Sequence, residues 1–162
     1  MQLLPKLFKK LNDQLNAEIQ SAYLYLAMGA WLEGTMFKGF AHWMKKQAKE
    51  ELEHAMRFYE YINDRGNLVT LQTIPEPQKD FKDIQEVFSL TLKHEQLVTQ
   101  LVHEAYQTAQ ELKDFATMEF LNWFLKEQIE EEKTASDILG VLTLAKDQLS
   151  AIIAEDQKAA QR

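Results

Sequence analysis

The stretch GNLVTLQTIPEPQKDF, residues 66–81, decides how this chain folds. It opens on Gly66 and carries Pro75-Glu76-Pro77, so it cannot be helical throughout. Apolar residues recur at helical spacing on both sides of it. Extended at about 3.3 Å per residue, a 16-residue link spans on the order of 50 Å, whereas a helix from Lys38 to Asp64 is roughly 40 Å long at about 1.5 Å per residue. The link can therefore run the length of a helix and leave the helices on its two sides parallel.

Working outward, four windows have helical periodicity. The first runs from about Leu4 to Leu32, with Pro5 in the tolerated first turn, and stops near Gly34. The second spans about Lys38 to Asp64 and ends before Arg65-Gly66-Asn67. A third begins near Lys82 or Asp83 and ends near Leu112. The fourth follows almost at once, with Asp114 as its cap, and fades around Gly140 to Ala145. Short links within each pair make antiparallel hairpins, so the expectation is an all-α four-helix bundle over about 4–142 with one long crossover at 66–81. A short fifth helix at about 147–157 places Leu149, Ile152 and Ile153 on one side and must dock to be stable. One domain over 1–162 suits the length.

Composition narrows the chemistry. Five Gly and three Pro are few turns for 162 residues, and the absence of Cys removes disulfides, thiolate metal sites and a cysteine nucleophile. A net charge of -7 argues against nucleic acid as a partner. Neither a signal-peptide apolar stretch nor a run of membrane-spanning length is present, so no membrane association and a cytoplasmic location are expected.

Reading each window along the stripe that steps by three and four exposes the same intruder. The first stripe is Leu4, Phe8, Leu11, Leu15, Glu18, Ala22, Tyr25, Gly29, Leu32; the second is Ala41, Met44, Ala48, Glu51, Ala55, Phe58, Ile62. The third is Ile84, Phe88, Thr91, Glu95, Val98, Val102, Ala105, Ala109, Leu112; the fourth is Thr117, Leu121, Phe124, Gln128, Glu131, Ala135, Ile138, Leu142. Every stripe carries one Glu, close to its midpoint. Helices of similar length packed side by side share a midpoint level whatever their direction, so the four carboxylates converge.

Buried carboxylates that repel one another must be protonated or neutralised, and no Lys or Arg lies on these stripes. A bound metal is the remaining partner. His54, three residues after Glu51, adds an imidazole from the same face. Gln128, three before Glu131, is a weak ligand or a hydrogen-bond partner. Glu18, Glu51, His54, Glu95 and Glu131 form a carboxylate-rich set with one His, suited to two iron or manganese ions bridged by a carboxylate. Glu50, Glu53, Glu127, Glu130 and Glu132 read first as a solvated acidic face, with Glu50, Glu127 and Glu130 near enough to host a third cation. His42, His94 and His103 fall off the stripes and read as surface or capping residues. The Tyr25 hydroxyl, two turns from Glu18, reaches toward the site.

These residues carry a resemblance to the bacterial non-haem ferritins: Glu18 and Tyr25 seven apart, EELEHA from Glu50, Glu95 within HEQ, and EQIEEE from Glu127. It covers all four helices, the Pro-bearing crossover and the short fifth helix. The resemblance implies one iron on Glu18, Glu51 and His54 and another on Glu51, Glu95 and Glu131, with Glu51 bridging and Gln128 beside the second. It also implies a third iron site at Glu50, Glu127, Glu130 and Glu131, and Tyr25 as an electron donor near the di-iron centre. The reaction so implied is oxidation of Fe(II) by dioxygen or hydrogen peroxide, with ferric mineral stored inside a homo-oligomeric shell of 24 subunits. Haem is not expected, because Leu52 stands where the similar bacterioferritins carry their haem-ligating Met. The alternative is a small di-iron oxidase or peroxidase of the rubrerythrin-like or bacterioferritin-like type, without large-scale storage.

Overall fold

The computed structural model describes residues 2–146 and 148–162, in which five helices form: α1 Pro5–Glu33, α2 Lys38–Asp64, α3 Ile84–Glu111, α4 Phe115–Ala145 and α5 Leu149–Ala159. Asp114 caps α4 by accepting from the Thr117 amide at 3.1 Å, as its position before the window predicts. Asp83 caps α3 by accepting from the Glu86 amide at 2.8 Å, while the Glu86 carboxylate reaches back to the Lys82 amide at 2.5 Å. No helix among the described residues is long and apolar enough to cross a membrane.

α1 packs on α2, α3 on α4, and α1 against α3, so the two hairpins lie side by side. The crossover runs the length of α1. At its start the Asn67 carbonyl oxygen of the side chain accepts from the Leu3 amide at 2.9 Å. Midway, the Asn12 side chain accepts from the Thr70 amide and donates to its carbonyl, and Asn16 accepts from the Gln72 amide. At its end Phe81 packs edge-on against Trp31, near the last turn of α1. These asparagines give the extended link the backbone partners that no strand supplies.

Two apolar clusters fill the bundle. One gathers Tyr25, Met28, Leu32, Phe40, Met44 and Phe88; the other gathers Leu7, Leu11, Leu15, Phe58, Ile62 and Phe124. Between them lies a waist of buried polar groups. The stripes hold along α2, α3 and α4, with one slip in α1: Leu4 is 55% exposed and Leu3 takes its place in the core, while Leu7 is buried beside a half-buried Phe8. Before Pro5 the chain is extended, with ψ of 148° at Leu4, so helical spacing no longer applies there.

The expected fifth helix starts two residues later than read, since Asp147 lies outside the described residues and α5 begins at Leu149. Its expected docking face holds in part: Ile152 packs against the core and Ile153 is half-buried, but Leu149 is 49% exposed, and the fully buried positions are Glu155 and Ala159. The reason is the anchor: the Asp156 carboxylate accepts from the Phe40 amide at 2.8 Å, in the first turn of α2. Gly39 makes that approach tolerable, because a Cβ there would lie 1.7 Å from the Asp156 carbonyl oxygen. Gly39→Ala is therefore expected to displace α5 and to cost about 1–3 kcal/mol. Faster limited proteolysis near α5 and a lower unfolding midpoint would bear this out; wild-type behaviour in both would show that the contact is not tight.

Candidate metal centre

Each helix brings its central Glu to the waist. Glu18, Glu51, Glu95 and Glu131 are all 5% exposed or less, and His54 and Gln128 are buried beside them. One oxygen each from Glu18 and Glu51 and one His54 nitrogen lie within 4.8 Å of one another, as do oxygens from Glu51, Glu95 and Glu131. Glu51 thus belongs to both triads. A further triad of His54, Glu127 and Glu131 meets the same spacing.

The distances within the first triad suit an ion better than direct contact. His54 Nδ1 stands 4.0 Å from Glu18 Oε2 and 3.4 Å from Glu51 Oε2. Metal–ligand bonds of about 2.0–2.2 Å would span the first gap with one ion between the two atoms. Glu18 Oε2 is moreover buried with no hydrogen-bond partner. An orphaned carboxylate oxygen facing an imidazole nitrogen fits a cation, and five carboxylates with one His suit hard or borderline first-row ions.

Five of the other carboxylate oxygens are held by neutral donors. Gln14 donates to Glu18 Oε1 at 2.7 Å. Gln47 donates to Glu51 Oε1 at 3.0 Å and to Glu131 Oε2 at 2.6 Å. Tyr25 donates its hydroxyl to Glu95 Oε1, which meets the expectation that it reaches the site. The Gln128 amide donates to Glu95 Oε2 at 3.2 Å and to the Glu95 carbonyl at 3.3 Å. Trp123 closes the other side of the His54 ring edge-on at 5.3 Å, with Arg57 3.9 Å over its own ring.

Protonation follows from crowding. Burial, then the Glu51 charge, push Glu18 well above the usual carboxylate range. Burial and the Glu51 charge raise Glu95 to about 7, against hydrogen bonds from Tyr25 and Gln128. Burial and the charges of Glu95 and Glu51 raise Glu131 to about 8. Glu51 goes the other way: burial would raise it, but the contacts with His54 and Glu18 outweigh that. Burial likewise acts to lower His54, yet Glu51 and the charges of Glu131 and Glu127 win and raise it. Desolvation, then the Glu95 charge, push the Tyr25 hydroxyl up.

The three acidic residues read as a third site are dispersed differently. Glu127 approaches His54 Nε2 at 4.0 Å. Glu50 is ion-paired with Arg162 at 2.5 Å, and Glu130 is exposed. Among the described residues, neither Glu50 nor Glu130 joins a triad. His94, expected at the surface or as a cap, is instead partly buried, with Nε2 2.7 Å from the Ser21 hydroxyl and its ring edge-on to Tyr25.

Sequence reading missed Gln14, Gln47 and Arg162. The two glutamines had a signal: each stands four residues ahead of a stripe Glu, one turn away on the same face. Arg162 had none.

Comparison with known proteins gives a consistent result. A family model described as a ferritin-like domain matches residues 8–145. A bacterial non-heme ferritin from Escherichia coli O6:H1 is 39% identical over 143 residues, covering 88% of this chain and 87% of that protein. Another from Staphylococcus haemolyticus is 40% identical over 156 residues, covering 96% and 94%. An open pore ferritin from the archaeon Archaeoglobus fulgidus superposes with a TM-score of 0.97 at 38% identity, covering 100% of this chain and 99% of that one.

Raised carboxyls make the metal-free protein pH-sensitive. Glu95 near 7 and Glu131 near 8 keep protons in the folded state that the unfolded chain releases around pH 4.5. The folded state therefore binds more protons, and stability without metal is expected to fall as pH rises from about 4.5 to 8. Chemical denaturation across that range checks the sign; a rise in stability would contradict it.

Proposed function

The chain belongs to the ferritin family, and we propose that it is an iron-storage ferroxidase, taking Fe(II) as substrate at the waist cluster and depositing Fe(III) as mineral. The observation that carries this reading is the shared Glu51, whose carboxylate stands in the triad with Glu18 and His54 and in the triad with Glu95 and Glu131. A carboxylate common to two adjacent triads is what two metal ions in one site need.

Fe(II) displaces the protons of Glu18, Glu95 and Glu131 on entry, so the same carboxylates serve both states. Each pair of Fe(II) gives up two electrons. With two protons these take dioxygen to hydrogen peroxide, or hydrogen peroxide to two waters. Anionic oxygen donors favour the more highly charged product, and that preference supplies part of the driving force. Tyr25, hydrogen-bonded to Glu95, is the side chain best situated to pass an electron to the oxidant. Gln128 steadies Glu95 and stands beside the second iron. Glu127, with Glu50, Glu130 and Glu131, takes a third iron on the way out. The Fe(III) then leaves for the interior of a cytoplasmic shell of 24 identical chains. Exposed apolar residues including Tyr23, Leu26, Met56, Leu71 and Phe115 support burial between subunits.

Aerobic addition of Fe(II) to the metal-free protein, followed by size-exclusion chromatography with iron analysis, tests the whole reading. A large species carrying far more than three irons per chain is the expected result. A small species with about two irons per chain would favour a discrete di-iron oxidase, and no bound iron would remove the metal site.

Two substitutions divide the roles. Glu51→Ala or His54→Ala is expected to lower the initial rate of Fe(II) oxidation roughly 100-fold or more while leaving assembly intact, since even outer partners of a metal site account for about 10–100-fold. A wild-type initial rate in either variant would remove these residues from the site. Glu130→Ala should keep binding of the first two ions and change the number of Fe(II) oxidised per oxidant; loss of the first two ions would contradict that division.

A further inference from the structure

α5 ends within reach of the waist. The Asp156 anchor on the Phe40 amide and the buried Ala159 fix the helix against the start of α2. Arg162, just beyond it, lays its guanidinium 4.6 Å over the Trp43 ring. From there Nη1 donates to Gln47 Oε1 and Nη2 to Glu50 Oε2, both at 2.5 Å.

Two consequences follow from elementary donor chemistry. Guanidinium has donors only, so the Gln47 oxygen must face Arg162 and the Gln47 amide nitrogen must face Glu51 and Glu131. A residue just beyond α5 thereby sets the amide orientation at two proposed ligands on different helices, one of them 84 residues from Gln47 in the chain. Second, Glu50 Oε2 is already ion-paired, so a metal ion that takes this oxygen must displace Nη2.

We propose that Arg162 is a positioning residue and a displaceable internal cation, holding at Glu50 the place of the third metal ion and locking Gln47 against Glu51 and Glu131. The inference rests on the metal-centre reading above and deepens it. In the metal-free protein Arg162 relieves repulsion among the outer carboxylates. A third ion binds only by exchanging with it, which makes the outer site the weaker one and ties its filling to release of the last turn of α5.

The test is calorimetric titration of metal-free wild type, Arg162→Gln and Arg162→Lys with Zn(II), a redox-inert probe. A charge-assisted hydrogen bond is worth about 1.5–3 kcal/mol, so its removal in Arg162→Gln is expected to tighten the outer ion about tenfold. The two inner ions should stay within about threefold of wild type. Arg162→Lys keeps a cation for Glu50 and should bind the outer ion as wild type does. Packing damage from a displaced α5 would weaken binding, the opposite direction. Unchanged or weaker outer binding in Arg162→Gln would overturn the proposal while two inner ions in wild type preserved the metal centre. A wild type that binds no inner pair would overturn both.

Discussion

Four carboxylates buried at one level of a helical bundle are the constraint around which the molecule is arranged. Ionised together in an apolar interior they would repel one another and forfeit their hydration, a penalty of several kcal/mol per ion. The chain meets most of it in two ways at once. Gln14, Gln47, Tyr25 and Gln128 hydrogen-bond individual oxygens. Protons remain on Glu18, Glu95 and Glu131 at pH values where free carboxyls have lost them. One oxygen, Glu18 Oε2, is left without a partner, facing His54.

The waist is affordable because the apolar clusters on both sides of it do the folding. Leu7, Leu11, Phe58 and Phe124 pack at one end and Met28, Phe40, Met44 and Phe88 at the other. Apart from Tyr25, which bonds Glu95, these clusters are apolar contacts away from the carboxylates, so a change of charge at the waist leaves the scaffold in place. Arg65 reinforces one end by bonding both oxygens of Asp114, at 3.0 and 2.7 Å, which ties the close of α2 to the cap of α4. At the opposite end α5 closes the bundle and Arg162 brings its charge inward.

Protons and metal ions compete for the same oxygens in such a cluster, and under the proposed function this links acidity to iron binding. Raised carboxyls mean that a cation enters against bound protons and releases them. Among the four waist carboxylates, Glu51 alone is held below the usual range. It is also the residue common to both triads, so the carboxylate that stays ionised is the one that two ions would share.

The amino-acid sequence by itself determined the four helices and the level of the site. Both are carried by the 3.6-residue period, a local property that survives in a one-dimensional reading, and a Glu interrupting each stripe at its midpoint is visible without coordinates. The link at 66–81 determined its own role as a crossover through Pro75 and Pro77, whose rings cannot continue a helix. Only the tertiary structure decided the rest. Leu3 replaces Leu4 in the core because the chain straightens before Pro5, where helical spacing stops. α5 docks through Asp156, Glu155 and Ala159 beside the expected Ile152 and leaves Leu149 exposed, because its anchor is a free amide at the start of α2. Glu50 meets Arg162 across 112 residues, and Gln47 meets it across 115. Contacts of that kind leave no period in the sequence, since they depend on where a docked helix happens to end in space.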